Sequence, residues 1–358
     1  MDTKNKSSPL VEPRFGYADD VGNPYQPTVL ETLRECGYVL DVFHNPSHAL
    51  TVINFGFELF TLFILFTYLS AFWSSGSFIF LVALVLIFAT VHNTIWYHRY
   101  CSDISYQFTR LVYARIILWT NPLAFIFREE IYAIPHKIHH QKTEKPGDPY
   151  GPHLGYFASF FAPELTQRIN SKLSEPDFEA LKKSIKHIGL CTGSYGHFTK
   201  TGSIESVTVY AARSIVSQSL WIAIALASGG MSYVTAYYSA IFIITMLIRD
   251  FNWRGHGGSS AGQKRRDWEF HTKSYALNQY FYGWVASEWH DNHHHYFTSA
   301  RNGYLRGQID IAFHTIKFLH KLGIVKSYID ATNIFRAQCQ NVSEQSTGDV
   351  FNVRPLEN

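Results

Sequence analysis

The chain has 358 residues, enough for one large domain or two ordinary ones. Hydrophobic residues make up 46% and aromatics 16%, while charged residues reach only 16% against about 25% in ordinary soluble domains, a balance that leans toward lipid. The formal charge of +3 is small and the basic residues are scattered, so no nucleic acid partner is expected. Four isolated cysteines, Cys36, Cys101, Cys191 and Cys339, offer neither a zinc knuckle nor a disulfide framework, which fits a reduced, cytosol-facing compartment.

In chain order, the first 25 residues are polar, so no cleavable signal peptide is expected and the first hydrophobic helix would do the targeting. Residues 50–70 and 78–97 are apolar runs whose one charge is Glu58, each long enough to cross about 30 Å of hydrocarbon. They read as a helical hairpin closed by a short link containing Gly76. A second hairpin follows at 208–227 and 231–250, joined by Ser228, Gly229 and Gly230. A single apolar run reads equally as a buried core helix; four runs in two hairpins point to spans. Lys and Arg cluster in the N-terminal segment, in 99–200 and from Arg249 onward, with Arg213 as the exception, so both termini and the middle segment are expected on the cytosolic side.

Phe108 to Phe127 mixes apolar side chains with Arg110 and Arg115 and reads as an interfacial helix, with Trp119 at headgroup depth and Pro122 ending or kinking it. Residues 141–155 read as a loop, 165–188 as a charged surface helix, and Ile309 to Leu322 as a terminal helix. The last fifteen or so residues read as disordered. The expected fold is all-α: a cytosolic segment 1–49, a four-transmembrane-helix domain over 50–330 with a helical cytosolic cap formed by 99–207 and 251–330, and a partly disordered tail 331–358.

Histidine is the anomaly, with 18 copies crowded into short stretches. His136-Lys137-Ile138-His139-His140 is matched by His290-Asp291-Asn292-His293-His294. On a helix, positions i, i+3 and i+4 share a face, so each stretch is expected to present three imidazoles to a common point. Imidazole suits iron, zinc and copper. One such stretch also reads as a solvated, histidine-rich helix end; two in one chain argue for metal. His98 follows the second span and His256 the fourth, so all four pieces meet one membrane surface. Each of these two alone reads as a snorkelling or capping residue. Eight histidines exceed what one metal binds, so two metals are expected.

These motifs make the chain resemble the membrane fatty acid desaturase family, most of all its acyl-CoA (stearoyl-CoA) desaturase branch, over roughly residues 50–330. The markers are an H-x-x-x-x-H box and two H-x-x-H-H boxes; Ser299-Ala300-Arg301 and Gln308-Ile309-Asp310 also resemble that branch. The resemblance implies that His98, His136, His139, His140, His256, His290, His293 and His294 are iron ligands, and that Asn252 contacts a metal through water. One departure stands out: the sixth position of the first box is Asp103, not histidine. Aspartate is a legitimate iron ligand, so metal retention with a lowered potential is expected. His92, about two turns back, is expected to pack or face substrate rather than ligate. His295 is expected at the surface or behind the ligands, and His153 and His271 are unassigned. Asp148 reads either as a hydrogen-bond partner that fixes a ligand tautomer or as an Asx turn before Pro149. Glu288 and Asp291 are weaker candidates for the first role. Trp96, Tyr97, Trp253 and Trp289 read as tunnel wall or as interfacial anchors.

The resemblance implies an enzyme with two iron ions (Fe2+/Fe3+) that uses O2 and two external electrons to introduce a double bond into a fatty acyl chain carried on CoA, a carrier protein or a lipid. An electron donor such as cytochrome b5, ferredoxin or rubredoxin is required, because no cytochrome b5-like, flavin or iron-sulfur motif is present. Hydroxylation by the same centre is the alternative that Asp103 keeps open. A non-catalytic membrane metal-binding protein is the alternative from another class.

Overall fold

The computed structural model describes residues 8–256, 289–304 and 308–345. Four helices are long and apolar enough to cross a membrane: Pro46–Phe72, Ser75–Ser102, Val207–Gly229 and Met231–Arg254. Their 23 to 28 residues exceed the roughly 20 that a bilayer core needs. Large apolar side chains such as Phe63, Phe66, Ile79, Ile215 and Val216 point outward, as a lipid-facing surface requires. The fourth span packs against each of the other three. The first hairpin turns at Ser74, whose hydroxyl accepts from the Ser77 amide at 3.2 Å to start the second span. Gly230, at φ +72°, closes the second hairpin in a conformation that a side chain resists.

The second span runs five residues past its expected end, and its last stretch, Phe88–Ser102, is π-helical. π-Helix is rare and concentrates at functional sites. Local side chains join the i→i+5 pattern: Thr94 Oγ1 donates to the Ala89 carbonyl at 3.0 Å and Ser102 Oγ to the Tyr97 carbonyl at 2.9 Å.

Both charges set aside as exceptions within the spans point inward and are paired, as intramembrane charges must be. Glu58 of the first span meets Arg249 of the fourth, and Arg249 also donates to Glu164 of the cap at 2.8 Å. Arg213 of the third span donates to Glu205 at 2.7 Å and pairs with Glu129. These ions fasten the cap to the bundle.

The interfacial helix covers Leu111–Thr120 and stops just before Pro122. It exposes Val112, Ile116 and Trp119 and lies on the third span, where Trp221 Nε1 donates to the Thr120 carbonyl at 2.8 Å. The single surface helix expected over 165–188 is corrected: the helix covers only Glu175–Ser184. Residues 168–170 instead pair with the N-terminal segment, the Val11 amide donating to the Arg168 carbonyl at 2.8 Å and the Asn170 amide to the Pro9 carbonyl at 2.9 Å. Backbone groups used in that pairing are lost to a helix, which restarts where Ser174 caps Asp177.

Among the described residues, several elements were not expected, including the short helices Gly155–Phe160 and Tyr195–Thr201. A helix over Val29–Leu40 opens with a capping box between Thr28 and Glu31. A two-stranded antiparallel sheet pairs Tyr106–Phe108 with Val325–Tyr328. A further helix, Thr332–Gln345, occupies the start of the expected tail, and the residues beyond it lie outside those described. The terminal helix covers Ile311–Lys321 and is capped by Asp310, whose Oδ1 accepts from the Phe313 amide at 2.9 Å.

Candidate metal centre

The π-helical end of the second span explains the first box. The Asp103 amide donates to the His98 carbonyl at 3.1 Å, an i→i+5 bond that stacks the two residues on one face. Asp103 Oδ2 lies 3.2 Å from His98 Nδ1. The chain then turns through Ile104 at φ +55°, a strained value for a β-branched residue. Between them, the buried Arg99 donates to Asp310 Oδ1 at 2.8 Å and to the Ala300 carbonyl. Those contacts tie the first box to the segment after the third.

His136, His139 and His140 project from the helix Glu129–Lys142, and His290, His293 and His294 from the short helix His290–His295. The side chains form two groups whose candidate ligand atoms lie within 4.8 Å of one another: His98, Asp103, His136 and His293 in the first, and His139, His256, His290 and His294 in the second. This corrects the expectation that each triplet serves one point. Each H-x-x-H-H stretch is divided between the two groups. Residues three or four apart share a helix face but are displaced along the axis by about 4.5–6 Å, at 1.5 Å per residue, so one face spans two neighbouring centres. His140 sits beside the first group, its Nε2 3.0 Å from His136 Nε2 and 2.8 Å from His293 Nε2.

The spacing fits bound metal. His290 Nε2 lies 3.0 Å from His256 Nε2 and 2.9 Å from His294 Nε2, which is itself 3.4 Å from His139 Nε2. Nitrogens held about 2.1 Å from one ion stand roughly 3.0 to 3.4 Å apart at square or tetrahedral angles. Hydrogen bonds alone account poorly for the cluster, because each Nε2 carries at most one proton. Burial drives the His136 pKa down to about 3 and those of His290 and His293 well below the ordinary value, keeping these imidazoles neutral. Burial also pushes the Asp103 carboxyl up to about 7, against the pull of His140, Arg99 and Lys137. Asp103 Oδ2 has no hydrogen-bond partner among the described residues. A buried carboxylate oxygen facing neutral imidazoles is a place for a cation.

Several ligand candidates are held from behind. His139 Nδ1 lies 2.7 Å from Asp148 Oδ1, His136 Nδ1 lies 2.6 Å from the Tyr150 hydroxyl, and His256 Nδ1 lies 3.1 Å from the Asn252 carbonyl. Asp148 therefore makes both of the contacts expected of it, since its Oδ1 also accepts from the Tyr150 amide at 3.3 Å. Tyr150 was not singled out from the sequence; its place two residues after Asp148 was the available signal. Asn252 stands outside both groups. Its side chain lines a cavity of about 30 Å³ with Phe127, Tyr132, His136, Tyr150 and Gln167, room for a water.

His92 is buried edge-on to Phe88 and Trp221 and lies outside both groups. His295 is exposed, and His153 rests against Asp148. His271, Glu288 and the side chain of Asp291 lie outside the described residues. Trp96 is fully buried and donates to Glu129 at 3.3 Å, Tyr97 accepts from Asn121 at 2.7 Å, and Trp289 donates to the Ile309 carbonyl at 3.0 Å. Those three are interior residues. Trp253 is half-buried against Tyr156. Trp289, at φ +56°, places a second strained residue beside the histidines.

No family model matches the chain. Over 196 residues, 53% of this chain, it is 26% identical to the sn-1 stearoyl-lipid 9-desaturase of Synechocystis sp., covering 52% of that protein. The chain thus spans about half the length of the curated relative it matches. This distant similarity supports no more than a desaturase-like relationship, alongside side-chain groups able to hold metal and helices able to cross a membrane.

Proposed function

We propose that this chain is a multi-pass membrane enzyme that holds two iron ions and introduces a double bond into a fatty acyl chain. The observation that carries the reading is the pair of adjoining candidate ligand groups, seven imidazoles and one carboxylate, where two of the long apolar helices end. His98, Asp103, His136 and His293 would hold one ion and His139, His256, His290 and His294 the other, with His140 beside the first. Asn252, from the wall of the neighbouring cavity, would approach a metal through water.

Bound iron would supply the activation of dioxygen that removal of hydrogen from an unactivated methylene demands. In the balanced reaction, two C–H hydrogens, two electrons and two protons reduce one O2 to two waters, and a C=C bond forms. The protein's part is positional. Buried imidazoles stay neutral, Asp148 and Tyr150 fix ring orientation, and the closely packed interior limits water. The electrons come from an external donor such as ferredoxin, rubredoxin or cytochrome b5. The relative's stearoyl-lipid substrate makes a lipid-borne acyl chain the first carrier to test, before CoA or carrier protein. The cap and both termini lie on the cytosolic side in this reading.

One observation favours a second reading: Asp103 places a negative charge within the first group, which can shift the outcome toward hydroxylation. Purified protein loaded with Fe2+ and supplied with donor, labelled dioxygen and stearoyl lipid separates the two by mass spectrometry. Loss of two hydrogens is expected. Gain of labelled oxygen would replace desaturation with hydroxylation, and no dioxygen consumption with any donor would leave a metal-binding protein.

A further inference from the structure

The turn Asp148-Pro149-Tyr150 touches both ligand groups with different chemistry. Asp148 is fully buried, and its Oδ1 lies 2.7 Å from Nδ1 of His139, a member of the second group. Tyr150, also buried, places its hydroxyl 2.6 Å from Nδ1 of His136, a member of the first. The phenol ring stacks on His139 with centroids 4.3 Å apart and planes 20° apart, and it meets His256 edge-on at 5.7 Å. The turn is itself braced: Asp148 Oδ2 accepts from the Glu144 amide at 2.7 Å, and Thr166 donates to the Pro149 carbonyl.

We propose that this turn is a two-sided positioning element that supports the two metal positions by different chemistry, with a carboxylate behind His139 and a neutral phenol behind His136. The inference rests on the reading of both groups as metal sites. With Nε2 of each ring committed to metal, Nδ1 carries the proton and donates outward, to Asp148 Oδ1 from His139 and to the Tyr150 oxygen from His136. A carboxylate acceptor raises imidazole basicity more than a neutral oxygen does. The first group already contains a carboxylate, Asp103, with Oδ1 3.4 Å from His136 Nε2. Each group therefore has one negative charge at close range, direct in the first and relayed through His139 in the second. A carboxylate at position 150 would add a second negative charge beside the first group, and the phenol avoids it. Tyr150 also orients two further rings of the second group by contact, a task for its ring rather than its hydroxyl.

The test uses the full chain in detergent, stripped of metal and titrated with Co2+ against a competing chelator while the visible Co2+ spectrum is followed. Wild type is expected to bind two ions in distinguishable steps. Tyr150→Phe keeps the ring and removes the oxygen, so it should weaken one step by about 10 to 100-fold and leave the other alone. Asp148→Asn should weaken the other step. Asp103→Ala assigns the steps: in that background, which retains the four histidines of the second group, Tyr150→Phe should be silent and Asp148→Asn should still weaken binding. Tyr150→Phe without effect on either step, or weakening the ion that survives Asp103→Ala, would overturn the proposal while leaving the two-metal reading intact. Failure of wild type to bind any Co2+ or Fe2+ would overturn that reading and the proposal together. If Asp148→Asn does not fold, the two Tyr150→Phe titrations decide the matter alone.

Discussion

His98 and Asp103 lie five positions apart in the chain yet side by side in space, 3.2 Å between Nδ1 and Oδ2. An α-helix would turn them to different faces; the π-helical end of the second span brings them together. Any side chain at position 103 therefore points at the first group. Asp103→His should keep two metals per chain, and Asp103→Ala should retain about one, read by elemental analysis of purified protein. Equal metal content in the Asp103→Ala variant and the wild type would remove Asp103 from the ligand set.

Arg249 is held between Glu58 and Glu164 inside the bundle. Arg249→Met leaves two carboxylates facing each other without a counter-ion, and losses of about 3–5 kcal/mol are typical for breaking a buried ion pair. The apparent melting midpoint in detergent should fall sharply, and Glu58→Gln in the Arg249→Met background should recover part of the loss. An unchanged midpoint in Arg249→Met would show that the pair holds nothing together.

Removing metal should loosen the cap as well as abolish turnover. A ligand present at about a thousand times its Kd stabilises the folded state by about 4 kcal/mol. Chelation should therefore lower the melting midpoint, and Fe2+ should restore both midpoint and activity. Zn2+ should restore the midpoint only. Full activity with Zn2+ would contradict the oxidative reading.

His187 gives a pH dependence separate from the metal groups. It packs under the end of the second span, where Nε2 meets the carbonyls of Tyr100 and Cys101 at 3.0 and 3.1 Å. Burial, helped by Lys137, lowers its pKa from 6.5 to about 4. A base with a lowered folded pKa takes up its proton first in the unfolded chain. Its stabilising share is thus complete above pH 6.5 and is lost as pH falls from 6.5 through 4, by about 3 kcal/mol at most. His187→Gln keeps a donor for the carbonyls, so the midpoint difference between wild type and variant should shrink across that window. A constant difference would refute the assignment.

Orientation is testable through Cys191, which is exposed on the cap. In a background lacking the other cysteines, an impermeant thiol reagent should label Cys191 only from the cytosolic side. Ser228→Cys, in the second hairpin turn, should label only from the opposite side. The reverse pattern would invert the topology.

The four spans were legible because lipid imposes a one-dimensional requirement, some twenty apolar residues in a row, that any sequence displays. The histidine positions were legible for a similar reason: imidazoles are scarce, and their spacing repeats. Pro122 marked a helix end because its ring stops a helix locally. The Thr28-x-x-Glu31 capping box was equally local and could have announced the helix that follows it.

Partnership was not legible. Glu58 stood out only as the one charge in its apolar run; the packing of the first span on the fourth selects its partner Arg249, 191 positions away. The same holds for the sheet between Tyr106–Phe108 and Val325–Tyr328, whose strands are too short to carry a pattern. Helical spacing showed that His136, His139 and His140 share a face, yet it could not show that the face is divided between two centres. That division depends on where His98, His256 and the other triplet arrive. Sequence alone determined which side chains are available for metal, because composition and period are properties of the chain. Tertiary structure decided which of them meet, because distance in space depends on how separate helices pack.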